Sequence, residues 1–208
     1  FSELDKDSHR LSSDELRTVV HEAGGIIPKR HQQMLLGILD LEKVTVEDIM
    51  VPRNEIVGID LNAPLDTITE QLATSQHTRL PLYREGIDNV IGIVHLRKLL
   101  RLFKHDEFNK MVLEQSARDL YLVPEGTTLN TLLLNFQRHK RRFGLVVNEY
   151  GDIQGLVTLE DILEEIVGEF TTDPDALSPD IHPQKDNSFF VDGSITVREL
   201  NRVMQWHL

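Results

Sequence analysis

The feature that most constrains this chain is that it repeats itself. When TRLPLYREGIDNVIGIVHLRKLL (78–100) is set above RRFGLVVNEYGDIQGLVTLEDIL (141–163), a shift of 63 residues carries Arg79 onto Arg142, Leu82 onto Leu145 and Gly92 onto Gly155. The same shift carries Val94 onto Val157, Leu96 onto Leu159 and Leu100 onto Leu163. Earlier, LDTITEQL (65–72) matches LNTLLLNF (129–136), and the lead-in segments VEDIMVP (46–52) and ARDLYLVP (117–124) correspond. A duplicated supersecondary unit restricts the fold to arrangements in which two copies pack together, because a unit of about 60 residues buries too little surface alone.

Each copy reads as a lead-in, a helix, a strand, a turn, a second strand and a second helix, which is a βαββα order. Arg84-Glu85-Gly86 and Glu149-Tyr150-Gly151-Asp152 separate short β-branched and apolar runs, as hairpin loops do. Upstream, Ser12-Ser13-Asp14-Glu15 marks a helix start and Gly24-Gly25 its stop. Pro28 opens a second helix, with Met34, Leu35, Ile38, Leu39 and Leu41 on its apolar face. Downstream, TTDPDALSPDIHPQKDN (171–187) has three prolines and no periodicity, and reads as a linker. Ser188 to Ser194 then suggests a strand and turn, and Thr196 to Met204 a helix.

The expected class is therefore α+β: two tandem βαββα units packed as a pseudo-twofold module. Linker helices occupy 1–43, the units 44–114 and 115–171, a linker 172–187, and the truncated start of a further α/β domain 188–208. The cleft between two such sheets is a natural ligand site.

Composition narrows the partners. A net charge of −12 opposes nonspecific binding to nucleic acid or to an anionic membrane. With no cysteine, disulfides, thiolate chemistry and cysteine-bound zinc are excluded. No stretch approaches the roughly 18 to 20 apolar residues of a membrane helix. The start at Phe1 and the stop at Gln205-Trp206-His207-Leu208, inside an apparent new unit, give the expectation of a piece of something longer.

The sharpest local feature is GLVTLEDILEEIVGEF (155–170), where a buried strand runs directly into an acidic helix with Ile162, Leu163, Ile166, Val167 and Phe170 on one face. Thr158 and Asp161 have the spacing of a capping box. The same junction directs free N–H groups and a positive dipole end outward, which suits a phosphate, and a nearby carboxylate suits ribose hydroxyls. Residue spacing alone leaves both readings open.

Two βαββα copies with Gly-hydrophobic endings, the second closing in Gly155-Leu156-Val157-Thr158-Leu159-Glu160-Asp161, resemble a pair of CBS domains, regulatory modules that bind adenosine nucleotides between the copies. DIMVPR (48–53), TRLPLY (78–83), GLVTLEDILEEIVGE (155–169) and FFVDGSITVRELNR (189–202) look like the cytosolic part of the CorB/CorC and cyclin M family, linked to magnesium and cobalt transport or efflux and long called hemolysin-like. The resemblance implies an ATP or AMP regulatory ligand, with Mg2+ held through the nucleotide phosphates, and a homodimer formed through the CBS domains. It also implies a transmembrane domain elsewhere in the parent protein, placing this part on the cytoplasmic face of the inner membrane, and a transporter-associated C-terminal domain beginning at 188. In the family's pattern Thr158, Glu160 and Asp161 meet ribose and phosphate, while Thr78, Arg79, Leu80 and Pro81 line the adenine side. Pro52 and Arg53 match the lead-in, with the arginine toward the phosphate tail. The first copy departs, with His95 for the threonine and Lys98 for the aspartate, so one nucleotide per module is expected.

Other candidates have plain alternatives. The carboxylates Glu160, Asp161, Glu164, Glu165 and Glu169 suit a hard cation, or form a solvated helix face. Arg138-His139-Lys140-Arg141-Arg142 suits a polyphosphate or a membrane headgroup, or is a solvated helix end. The nine histidines have no zinc spacing, and the chain lacks a Walker A loop, a GxGxxG after a strand and a GxSxG elbow. The expected function is a nucleotide-sensing regulatory module and not an enzyme, the alternative being a ligand-free dimerisation scaffold.

Overall fold

The computed structural model describes residues 12–103, 108–168, 181–184 and 188–193, together with 195, 200, 201 and 204. The chain divides into one unit up to Gly168 and another from Glu169.

Helix α1 (Ser13–Glu22) starts at Ser12, whose hydroxyl accepts from the Glu15 N–H while the Glu15 carboxylate accepts from the Ser12 N–H. It ends in a tight turn at Ala23–Gly25. Helix α2 (Lys29–Asp40) follows Pro28 and lies against α1, joined to it by an Arg17–Asp40 ion pair of 2.5 Å. Its apolar face is only partly covered: Leu41 is buried, whereas Leu35 and Ile38 are exposed, as are Leu16 and Val19 of α1.

The first copy comprises β1 (Val51–Pro52), β2 (Ile59–Asp60), α3 (Leu65–Thr74), β3 (Arg79–Arg84), β4 (Gly86–His95) and α4 (Leu96–Phe103). A helix absent from the sequence reading, α5 (Lys110–Ser116), joins the copies, and its cap is the Asn109 side chain accepting from the Val112 N–H. The second copy comprises β5 (Leu122–Pro124), α6 (Leu129–His139), β6 (Phe143–Val147), β7 (Ile153–Thr158) and α7 (Leu159–Val167). Within each copy the strand before the first helix is parallel to the strand after it, β2 to β3 and β5 to β6, and the last two strands form an antiparallel hairpin. The predicted hairpin loops hold backbone that needs small or adaptable residues, with φ of 64° at Glu85 and 88° at Gly151.

The copies exchange their lead-ins. Strand β1 pairs with β7 of the second copy, Val51 opposite Leu156 and Pro52 opposite Gly155, giving the sheet order β1-β7-β6-β5. In return Arg118 bridges Ile93 on β4, with N–H to carbonyl bonds of 2.9 and 3.0 Å in the two directions. Ile93 maps onto Leu156 under the repeat shift, so Arg118 does for the second copy what Val51 does for the first. Leu82 and Val146 stand opposite the equivalent Gly92 and Gly155, so ahead of the hairpin turn the repeat shift is one residue longer than after it, which corrects the expected match of Leu82 to Leu145. Ile59 pairs with Leu82 and Val123 with Val146, which makes Ile59 and Val123 equivalent. The path from Val51 to Ile59 is thus longer than that from Arg118 to Val123, and the extra residues form a tight turn at Arg53–Glu55. Pro52 and Pro124, aligned in the sequence reading, are not counterparts.

Strand alternation explains the cores. Leu80, Leu82 and Val94 pack with Ile59, Ile68, Leu72 and Leu99 inside the first copy. Val146 and Val157 pack with Leu132, Phe136 and Ile162 inside the second, and Leu41 and Val46 from the linker end join them. The opposite faces meet between the copies, where Phe143, Leu145, Val147 and Ile153 pack with Ile56, Val90 and Ile93. Burying a Leu, Val or Phe side chain contributes about 1.5–3 kcal/mol, so this shared layer binds the copies into one body.

In the second unit β8 (Ile181–Pro183) pairs antiparallel with β9 (Phe189–Val191), Ile181 opposite Val191. The expected linker 172–187 therefore contains a strand, corrected here because its first prolines hid a three-residue pairing segment. Of the expected Thr196–Met204 helix, Leu200, Asn201 and Met204 are helical, and the other positions lie outside the described residues, as do Glu169 and Phe170. Among the described residues no helix is long and apolar enough to cross a membrane.

Candidate functional site

Strand β7 delivers Thr158 to the first position of α7. The Thr158 N–H donates to Asp161 Oδ2 at 2.7 Å, and the Asp161 N–H donates to Thr158 Oγ1 at 3.3 Å, so the capping box is formed on both sides. Both side chains are half-buried, and Glu160 between them is exposed. Burial raises the Asp161 pKa above its ordinary value of 3.8, against the two bonds from Thr158 that lower it; the neighbouring Glu160 charge adds to the rise. A carboxylate held with reduced solvation is poised to gain from a hydrogen-bond donor that arrives with a ligand.

The first copy's lead-in forms the wall beside this junction. A Cβ on Gly155 would fall 2.7 Å from Met50 Sδ, so Met50 lies directly on β7, and Ile49 and Met50 pack on the second copy's core. Pro52 is opposite Gly155 and exposed. Arg53 is carried further along, where its guanidinium binds both carboxylate oxygens of Asp88 and the Ile153 carbonyl. Ile153 and Thr158 are the two ends of β7, about 16 Å apart at the strand rise, so this conformer of Arg53 points away from Thr158. Thr78 is exposed, and its carbonyl accepts from the Leu96 N–H at 2.9 Å. Arg79 stands opposite His95. Leu80 is buried in the first copy's core, and Pro81, on the other face of β3, is buried opposite Ile93 of the shared layer.

How Thr78 relates to Thr158 follows from the second copy, where an open groove of about 500 Å³ is lined by Ala117, Arg118, Asp119, His139, Lys140 and Arg141. It adjoins the end of β4 through the Arg118–Ile93 bridge. The match of 65–72 to 129–136 carries Ser75, Gln76 and His77 onto His139, Lys140 and Arg141, with Thr78 next along, and the shift after the hairpin carries His95 and Lys98 onto Thr158 and Asp161. By that pseudo-symmetry the counterpart of this groove is bounded by Ser75–His77, next to Thr78, by the Met50–Pro52 lead-in and by the Thr158 end of β7. The sequence reading missed Met50; its signal is the glycine at 155, which admits the neighbouring chain.

The profile of the CBS domain family matches residues 46–105 and 116–168. The UPF0053 inner membrane protein YfjD of Escherichia coli is 53% identical over 203 residues, 97% of this chain and 47% of that protein. A CBS-domain pair with bound AMP from Klebsiella pneumoniae is 56% identical and superposes with a TM-score of 0.58, covering 60% of this chain and 99% of that one. The CBS domain of a bacterial CNNM/CorC family Mg2+ transporter in complex with ATP is 35% identical with a TM-score of 0.62, covering 67% and 99%.

The chain belongs to the CBS-domain family, in its CorC/CNNM branch.

It spans about half the length of the curated relatives it matches. The CBS copies coincide with the two repeats, and the exchanged lead-ins fall at the start of each matched stretch, Val51 in the first and Arg118 in the second.

Proposed function

We propose that this CBS pair is the nucleotide-responsive regulatory module of a membrane magnesium-transport protein. An adenosine nucleotide occupies the cleft of the second copy's junction: Thr158 and Asp161 take ribose and its phosphate, with Glu160 at the rim. Thr78, Arg79, Leu80 and Pro81 form the adenine side, and Pro52 and Arg53 the lead-in side, where release of Arg53 from Asp88 frees it for the phosphate tail. Mg2+ enters as the counter-ion that lets those phosphates approach an acidic chain, and a homodimer through the CBS domains is the unit that responds.

The observation that carries the reading is the half-buried Asp161 at the strand-to-helix junction, which accepts hydrogen bonds yet is short of solvent. It is supported by the AMP and ATP complexes of the two similar CBS structures. A route for the response is also visible. A Cβ on Gly37 would lie 2.7 Å from the Glu165 carbonyl, so α2 packs backbone to backbone on the last turns of α7. A ligand that binds one arrangement of α7 better shifts α2 by its differential affinity.

The specific observation favouring the alternative, a ligand-free scaffold, is that Thr158 and Asp161 already satisfy each other. Calorimetry decides, with ATP, ADP and AMP titrated with and without magnesium into the wild type and Asp161→Ala. Binding lost in the variant is the expected result; a folded wild type that binds no nucleotide overturns the proposal in favour of the scaffold.

A further inference from the structure

We propose that Asp88 is a latch on Arg53, released only by a nucleotide with a long phosphate tail, so that Asp88 sets the preference between adenosine mono- and triphosphates. The proposal rests on the nucleotide reading above and deepens it.

The Arg53 guanidinium holds both oxygens of Asp88, Nη1 donating to Oδ1 and Nη2 to Oδ2 at 2.5 Å, and Nη1 also donates to the Ile153 carbonyl at 3.4 Å. Fork-to-fork pairing fixes direction as well as charge, so the side chain is aimed at the Ile153 end of β7. The bond with Asp88 raises the Arg53 pKa against a small desolvation, and the charges of Asp88 and of Asp152, in the turn of the other hairpin, add to the rise. An acid from each copy thus draws the arginine to this end. Pro52, the residue before it, stands opposite Gly155, three positions and about 10 Å along the strand from Thr158. A monophosphate seated at Thr158 stays at the far end of that span. Each further phosphate lengthens the anion toward the lead-in and adds charge that competes with the Asp88 carboxylate.

The pair is a joint departure from the repeat. Arg118 takes the place of Val51 in the second lead-in, so Leu120 takes the place of Arg53, and it packs in the apolar layer between the copies. The shift of 63 residues carries Asp88 onto Gly151. Both partners are therefore replaced together in the other half, and the latch lies on the side whose junction has Thr158 and Asp161.

Its strength suits a latch more than a brace. The two side chains are 43% and 63% exposed, and an ion pair so open to water adds little to folding and is broken at small cost. A ligand that needs the arginine free binds with its affinity reduced by the fraction of time the arginine is free. For a pair of this exposure that reduction is about two- to fivefold. AMP, which does not reach Arg53, escapes it.

The test is calorimetry of MgATP and AMP on the full chain and on Asp88→Asn, Arg53→Ala and the double variant. Asp88→Asn should tighten ATP about two- to fivefold, leave AMP unchanged and leave the melting temperature within about 2 °C. Arg53→Ala should weaken ATP and not AMP, and in that background Asp88→Asn should have no further effect. In arginine-labelled protein the Arg53 side-chain NMR signal, assigned through Arg53→Ala, should move the same way with ATP as with Asp88→Asn, and stay in place with AMP. A wild type that binds neither nucleotide overturns the regulatory reading and the latch together. Nucleotide binding in which Asp88→Asn leaves the ratio of ATP to AMP affinity unchanged overturns the latch alone. A gain that persists in Arg53→Ala also overturns it, because Asp88 would then act by repelling phosphate and not by holding the arginine.

Discussion

Replacing Gly155 by alanine tests the exchange of lead-ins directly. Gly155 lies inside β7, with β6 on one side through Val146 and β1 on the other through Pro52. An added Cβ would meet the Val51 carbonyl oxygen at 2.5 Å, Met50 Sδ at 2.7 Å and Met50 Cγ at 3.0 Å. The methionine can swing away, but the carbonyl belongs to the neighbouring strand and moves only if β1 leaves the ladder. Overpacking costs about 1–3 kcal/mol and each ladder bond lost about 0.5–1.5, so Gly155→Ala should cost about 2–5 kcal/mol. For a chain of this length that lowers the melting temperature on the order of 10 °C. Gly126→Ala is the control: its Cβ meets nothing within 4 Å and its backbone needs no positive φ, so it should be neutral or stabilise slightly. Urea and thermal unfolding of both variants, with nucleotide calorimetry on each, make the comparison. Equal midpoints would refute the packing of β1 on β7. A destabilised Gly155→Ala with undiminished nucleotide affinity would refute the lead-in as a wall of the cleft.

Thr158→Ala removes one half of the capping box and should cost about 1 kcal/mol of stability, read from the urea midpoint, together with most of the nucleotide affinity. Because burial raises the Asp161 pKa, the folded chain holds that proton to higher pH than the unfolded one, so this residue favours folding at low pH and that contribution is lost as pH rises past the ordinary 3.8 through the raised value. Asp161→Asn, which keeps an acceptor for the Thr158 N–H, should flatten that part of the stability profile and raise the unliganded midpoint at neutral pH. Ribose donors favour the ionised carboxylate, so calorimetric nucleotide affinity should fall as pH drops through the raised Asp161 pKa. Gly37→Ala should loosen α2 from α7, seen as faster amide exchange in α2, with nucleotide affinity changed by less than about threefold; unchanged exchange would remove α2 from the proposed route.

Much of this was legible because the repeat and the alternation carry the fold. The shift from Gly92 to Gly155 placed the later strand of both hairpins, although the earlier strand lies one residue off the match of Arg79 to Arg142, and the spacing of Thr158 and Asp161 located the cap. The lead-ins misled because VP occurs in both, at 51–52 and 123–124, although register makes Val123 the counterpart of Ile59 and Pro124 that of Asp60. Helix α5 and strand β8 were too short for a periodic signal. The basic groove at the end of α6 was legible only as a run from Arg138 to Arg142; Arg118 joins it from a segment held by a single antiparallel bridge to Ile93, and no local pattern encodes a bridge between residues so far apart in sequence. Arg53 matched a motif, but its engagement with Asp88 is set by the start of β4 in the first copy's hairpin.

The exchanged lead-in also fixes an order of events during synthesis. Val51 and Pro52 leave the ribosome long before their partners Leu156 and Gly155 exist. At roughly 5–20 residues per second the wait is on the order of 5–20 s. Throughout that time the first copy can form its β2-β3-β4 sheet and Leu-rich interior, but its own opening strand has nowhere to go. The second copy cannot be completed without that strand either. Nascent chains halted just before Ile153 should therefore carry residues 44–52 open to protease while 59–95 are already protected, and the last strand of the pair to be made is the one that draws the first into place.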